Sequence, residues 1–251
     1  MASLKCTIMT IASLIPVFVL AQTSGTEWLT RIDQAERMSH SKSVVEQTIT
    51  TSSGSERILT MKGWSAKNGD LSLMVYIAPA RIKGDKILLR DGGDNIWYYM
   101  QRRDVTRHFA GHNRKQNAMG SDFTYEDLST GTMTEDYIAE VLGEEIINGD
   151  ECINLLLKPT DSGPSYDHLM LWADVNDALT RKIDYYDDEG LLKTLQLSNI
   201  QEVDGRKVPM NMLMTNVREN STTRMYYKEI SFKEEPDLSI FNTNSLSREL
   251  E

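Results

Sequence analysis

The chain has 251 residues, 40% of them hydrophobic and 25% charged, and a formal net charge of −10. That length and composition fit an ordinary globular protein of one large or two small domains. So acidic a surface repels phosphate backbones, which removes nucleic acid from the expected partners.

The first stretch is a targeting segment. Lys5 provides a positive start, residues 8–20 an apolar run interrupted by Ser13 and Pro16, and Ala21 a small residue before Gln22. This is the pattern of a secretory signal peptide over residues 1–21. The apolar run of 13 residues falls short of the roughly 20 needed to cross a bilayer. Removing it takes away Lys5 and no acidic residue, so the charge of residues 22–251 becomes −11. Cys6 leaves with the signal and Cys152 has no partner for a disulfide. Its setting, Cys152-Ile153-Asn154-Leu155-Leu156-Leu157, reads as a buried, inert thiol.

A helix follows. Ser24 and Glu27 have capping-box spacing, and Trp28, Ile32, Ala35 and Met38 recur on one face, so that face needs a cover. After Ser41 the pattern changes to short β-rich runs separated by turn dipeptides: Ser53-Gly54, Asn68-Gly69, Gly92-Gly93, Asn148-Gly149, Glu189-Gly190 and Asp204-Gly205. These predict antiparallel hairpins. The expected strands are 44–51, 57–65, 71–78, 86–90, 95–101 and 105–109, then 137–147, 151–158, 168–174, 181–186, 191–202, 207–217 and 222–232. A sheet of about a dozen strands curls rather than staying open and flat.

Several strands are apolar on both faces. Leu71, Leu73 and Val75 alternate with Ser72, Met74 and Tyr76, and Met210, Met212 and Met214 with Asn211, Leu213 and Thr215. Both faces of such a sheet are covered, one by packing and the other by a helix or a ligand. The three methionines suit either an irregular core or a surface that adapts to apolar ligands. Trp97 and Tyr99 share one face of the most aromatic strand and Ile96, Tyr98 and Met100 the other. No repeat, low-complexity tract or linker divides residues 22–251, which read as a single domain.

Between Ala110 and Thr134 the hairpin rhythm lapses. A loop this long inside a domain serves as a lid or binding loop. Its second half, Met119-Gly120-Ser121-Asp122-Phe123-Thr124-Tyr125-Glu126-Asp127-Leu128, offers three carboxylates to a calcium ion. The spacing does not match a calcium loop, and capping of a short helical turn explains them. Thr132 and Glu135 again have capping spacing, and residues 235–241 read as a turn-like tail closed by apolar side chains. His108 and His112 stand four apart, but Gly111 lies between them and no third ligand is evident, so no zinc site is expected. With no nucleophile elbow and no glycine pattern for nucleotides, the chain is not read as an enzyme, and no cofactor is expected. Arg81, Lys83 and Lys86, with Arg102, Arg103 and Arg107, form basic neighbourhoods that are either a solvated rim or cations opposite lipid phosphates or an anionic partner.

The order Ala78-Pro79, Lys83-Gly84, Ile96-Trp97-Tyr98-Tyr99, Arg102-Arg103 and then Gly120-Ser121-Asp122-Phe123-Thr124-Tyr125-Glu126-Asp127-Leu128 resembles the outer-membrane lipoprotein-sorting protein family. These are the LolA-like periplasmic proteins, here in their less characterised branch. The similarity runs over nearly all of residues 22–251. It implies a mainly β fold with a few helices: a strongly curved, incompletely closed antiparallel barrel with a helical lid over an apolar cavity. It implies a periplasmic protein that carries acyl chains of lipoproteins or lipids toward the outer membrane, with an inner-membrane transporter or an outer-membrane acceptor as protein partner. The rival reading is an envelope sensor or accessory module that uses the same cavity. No catalytic or transfer residue is carried over from the family. On these expectations Trp64, Met74, Trp97, Tyr99, Phe123 and Tyr125 line the acyl cavity and its lid, and Arg102 and Arg103 contact phosphate or a partner. Met119 to Leu128 becomes the hinge and plug of that cavity, its aromatics the inner surface of a flap.

Overall fold

A computed structural model describes residues 23–109, 114–128, 132–161 and 163–248. The expected signal segment, Cys6 and His112 lie outside the described residues. Helix α1 spans Gly25–Glu36. Its capping box forms as the spacing predicts, with the Glu27 N–H donating to Ser24 Oγ and the Ser24 N–H donating to the Glu27 carboxylate. Trp28, Leu29 and Ile32 are its buried apolar residues, each contributing about 1.5–3 kcal/mol by leaving water.

Thirteen strands are described: β1 (Ser41–Thr50), β2 (Glu56–Ala66), β3 (Leu71–Ala78), β4 (Lys86–Arg90), β5 (Asn95–Met100), β6 (Val105–Phe109), β7 (Tyr137–Ile147), β8 (Asp150–Pro159), β9 (His168–Asp174), β10 (Thr180–Asp187), β11 (Gly190–Val203), β12 (Arg206–Asn216) and β13 (Ser221–Ser231). The turn dipeptides fall between them. At the β7–β8 turn Asn148 and Gly149 sit at φ 53° and 99°, the left-handed pair that a tight hairpin requires.

All of the strands join one antiparallel sheet in the order β6-β5-β4-β3-β2-β1-β13-β12-β11-β10-β9-β8-β7. Each hairpin pairs with its neighbour in sequence, and a single long-range pairing, β1 with β13, joins the two halves. The sheet does not close, since β6 and β7 remain its two edges. The result is the curved half-barrel that the resemblance implies, and the strand count is that of a sheet that curls.

The connection from β6 to β7 therefore runs from one edge of the sheet to the other, and it does so across the inner face. Ala118, Phe123 and Tyr125 enter the main core there, beside α1 and the inner side chains of β1 to β5 and β7 to β13. A short helix, α2 (Met133–Asp136), completes the cover. Asp33 of α1 accepts from the Met133 and Thr134 N–H groups and the Thr134 hydroxyl, supplying the cap that Thr132 does not. Gly25 marks the closest approach of α1 to the sheet. A Cβ there would stand 2.1 Å from the Ala139 carbonyl oxygen.

A second, smaller core lies on the outer face of β2 to β5. Ala66, Leu73, Leu88 and Tyr99 are covered by Phe241 and Leu246, with Trp64, Val75 and Trp97 packed around them. The tail thus does more than close the chain. Lys86, buried at 3% exposure, donates to the Leu246 carbonyl at 2.7 Å and to that of Arg248, fixing the segment in place. Among the described residues no helix is long and apolar enough to cross a membrane.

Candidate functional site

A cleft with a cavity volume of about 380 Å³ opens between α1 and the inner face of β1 to β3. Binding pockets for small molecules run from about 300 to 1,000 Å³. Five methionines line it: Met38 just past α1, Met61 and Met74 on β2 and β3, Met133 on α2, and Met225 on β13, together with Val45 and Tyr227. Unbranched thioether chains repack around apolar ligands of varied shape. Room is made by small residues in register. Ser41, Ser65 and Ser72 lie side by side across β1, β2 and β3, and the next row is Ser43, Gly63 and Met74. A Cβ at Gly63 would sit 2.7 Å from Ser43 Oγ, so a larger residue there would turn that hydroxyl aside and narrow the cleft. The Ser41 and Ser65 hydroxyls hydrogen-bond at 2.8 Å, which gives this end a neutral polar rim beside Asp33, Glu36, Arg37 and Asn68.

The walls desolvate whatever titrates near them. Burial raises the Glu36 carboxyl above the ordinary carboxylate range even though it accepts a hydrogen bond from the Thr180 N–H at 2.9 Å. Burial likewise pushes the Tyr76 and Tyr227 hydroxyls up.

Deeper in, a narrow recess adjoins the cleft through Met61, Met74 and Met225, which line both. The remaining walls include Gln47, Tyr76, Ala118 and Phe123. Of the residues expected at the cavity, Trp64 and Met74 line the cleft and Phe123 the recess. Tyr125 stands behind Phe123, stacked on Phe109 with ring centroids 4.7 Å apart.

Trp97 and Tyr99 do not reach the cavity. They project from the outer face, in the core covered by the C-terminal segment, where Trp97 stacks on His108 and the Tyr99 hydroxyl donates to Asp104. Ile96 and Tyr98 take the inner face instead. Trp64 also packs toward this outer core, opposite Leu73 in register, so it meets the cleft only at its margin. Met210, Met212 and Met214 are not among the cleft-lining methionines, and Met214 is wholly buried in the main core.

Arg102 and Arg103 are exposed on the β5–β6 turn. The polar end of the cleft lies at the β2–β3 turn, the opposite end of the strands by the hairpin order. Arg81 and Lys83 are exposed at the β3–β4 link on the Arg102 side. Among the described residues none of these four forms an ion pair with a carboxylate.

The segment Met119 to Leu128 is pinned rather than hinged. The Asp122 carboxylate accepts from Ser221 Oγ and Thr223 Oγ1 of β13, at 2.5 and 2.7 Å. The Asp127 carboxylate accepts from the Thr124 N–H at 2.6 Å, the Tyr166 hydroxyl at 2.7 Å and the buried Lys193 ammonium. Arg57 of β2 donates to the Met119 carbonyl at 2.5 Å. Only the Thr124 contact is the local cap expected from sequence. The other carboxylate bonds fasten the segment to β11, β13 and the β8–β9 link. Lys193 is the residue that sequence reasoning missed. Its signal is a lysine in phase with Leu195 on a core-facing strand, which demands a buried counter-charge.

Cys152 is buried with its thiol pushed up to about 11 by that burial, an unreactive setting. Among the described residues no group of three or more His, Cys, Asp or Glu side chains converges as a metal site.

A protein-family model described as "Uncharacterized protein" matches residues 68–248. No curated protein matches the chain. Among solved structures, an outer membrane lipoprotein-sorting protein domain from Vibrio parahaemolyticus is 26% identical with a TM-score of 0.82, over 89% of this chain and 98% of that one. A DUF1329 family protein from Desulfovibrio piger is 24% identical with a TM-score of 0.82, over 88% and 97%. A LolA superfamily protein from Nitrosomonas europaea is 20% identical with a TM-score of 0.72, over 89% and 99%.

Proposed function

The chain belongs to the LolA-like family of outer-membrane lipoprotein-sorting proteins, and on that premise we propose that it is a periplasmic carrier that shelters acyl chains of lipoproteins or lipids in transit toward the outer membrane. The observation that carries this reading is the methionine-lined cleft between α1 and the inner face of the sheet. Transfer of each methylene from water into such a cleft is worth about 0.8 kcal/mol, so even a partly enclosed chain is held. The cargo rests on Met61, Met74 and Met225, with Phe123 and Tyr125 closing the space behind them and Trp64 at the margin. In this reading residues 1–21 direct export and are removed.

The cations Arg102, Arg103, Arg81 and Lys83, which form no ion pair among the described residues, favour a further contact, at the far end of the strands, with an anionic partner such as a membrane transporter or acceptor. A sensor or accessory module would use the same surface. The carrier is distinguished from it by what its cavity holds.

Filling the cleft tests this. Met74→Trp is expected to weaken binding of a fluorescent fatty-acid probe by at least about tenfold, equivalent to roughly 1.4 kcal/mol, with the circular dichroism spectrum unchanged. Undiminished binding in a folded Met74→Trp protein would place the probe elsewhere and remove the support for the cleft.

A further inference from the structure

Gln47 lies on β1 between Val45 and Ile49, in phase with both, and so faces the inner core. It is 4% exposed and lines the recess behind the cleft. Its amide oxygen Oε1 is fully buried and has no hydrogen-bond partner. Leaving a buried acceptor unpaired costs about 1–3 kcal/mol, and an apolar residue of similar size at this position would carry no such penalty. Among the described residues the surrounding side chains do not supply the donor. Met61, Met74, Met225 and Phe123 have none, the Ser121 hydroxyl is committed to the Ala118 carbonyl at 2.7 Å, and Tyr76 makes no bond to it.

Resting on the carrier reading, we infer that Gln47 is a specificity-determining residue of the cavity and that the cargo is a neutral lipid bearing a hydrogen-bond donor, a hydroxyl being the smallest. The cargo's donor reaches Gln47 Oε1 by displacing the thioether chains of Met61, Met74 and Met225, which separate cleft from recess. The lining chemistry selects against charge. Among the described residues no Lys, Arg or His lines the recess, so a carboxylate or phosphate entering it is desolvated without a counter-ion. No Asp or Glu lines it either, so an ammonium group fares no better. Asp33 and Glu36 stand at the cleft beside Arg37, so the selection against charge rests on the recess and not on the cleft mouth. A neutral hydroxyl satisfies Gln47 and brings no charge.

The test compares dodecanol with its methyl ether, which keeps the oxygen and the chain but lacks the donor, each displacing a fluorescent apolar probe from the wild-type chain and from Gln47→Leu. The wild type is expected to bind the alcohol about tenfold more tightly than the ether. Gln47→Leu should reduce that ratio to about one while unfolding at an equal or higher denaturant concentration, since the orphan acceptor is gone. Gln47→Met gives the same comparison if the leucine variant does not fold. A wild-type ratio near one, or a ratio that survives in the variant, overturns the assignment and leaves the carrier reading standing. Absence of any probe or ligand binding to the wild type overturns both.

Discussion

Replacing Lys193 by alanine is expected to lower the free energy of unfolding by about 3–5 kcal/mol. At roughly 2–4 °C per kcal/mol for a chain of this size, the melting temperature should fall by roughly 6–20 °C. Lys193 and Asp127 side chains are each 2% exposed, and the ammonium also lies 5.2 and 5.1 Å from the ring centres of Tyr166 and Tyr185. Removing the cation strands a buried carboxylate that, among the described residues, keeps the Thr124 N–H and the Tyr166 hydroxyl as its donors. Intact, such a pair adds little net stability, because both charges have lost their water. Broken, it is strongly destabilising. The double change Asp127→Leu with Lys193→Met should therefore lose less than the single change, the non-additivity expected of two groups in contact. Urea unfolding of the three proteins measures this. A single-variant loss under about 1 kcal/mol would mean that the pair does not anchor the plug.

Phe123→Ala is expected to be of similar size, about 3–5 kcal/mol, the range for deleting a buried aromatic side chain. Phe123 is 4% exposed, and the segment around it is folded back on itself, with the Ala118 N–H bonded to the Phe123 carbonyl at 2.7 Å and an antiparallel bridge between Asn117 and Thr124. Read as a flap, the segment would lose its aromatic at little cost to stability while probe binding fell. As a core plug pinned by Asp122 and Asp127, it loses stability first. Thermal unfolding of Phe123→Ala alongside probe binding separates the two. A melting temperature unchanged from wild type with binding lost would restore the flap.

The strands were legible because their turns are local. Asn-Gly, Gly-Gly and Asp-Gly pairs bracket strands of alternating pattern, and thirteen described strands fall close to where they were expected. The pairing of β1 with β13 has no local signal, since nothing in residues 41–50 names a partner some 180 positions away. Face assignment failed at Trp97 and Tyr99 for a related reason. A sheet covered on both sides shows apolar residues in both phases, so alternation says which residues share a face without saying which face is inward. The cover on the outer face comes from the C-terminal segment, and its role was not visible in a few apolar residues after Pro236. The methionines show the same limit. Consecutive alternation marks Met210, Met212 and Met214, whereas the cleft gathers Met61, Met74, Met133 and Met225 from four separate elements and Met38 from the segment after α1. Lys193 and Gln47 are each polar at a core-phase position between apolar neighbours, a local signal of a buried polar group that does not say whether the group is paired. One turned out paired, the other not.

The cleft remains the feature on which the carrier reading stands. Native mass spectrometry of the protein isolated from a periplasmic fraction, followed by lipid extraction, addresses it most directly. A carrier should fly as the chain plus a bound lipid, released on extraction as an acyl-chain species, and Met74→Trp should fly mostly bare. A wild-type chain found only bare, with no acyl species in the extract, would contradict it.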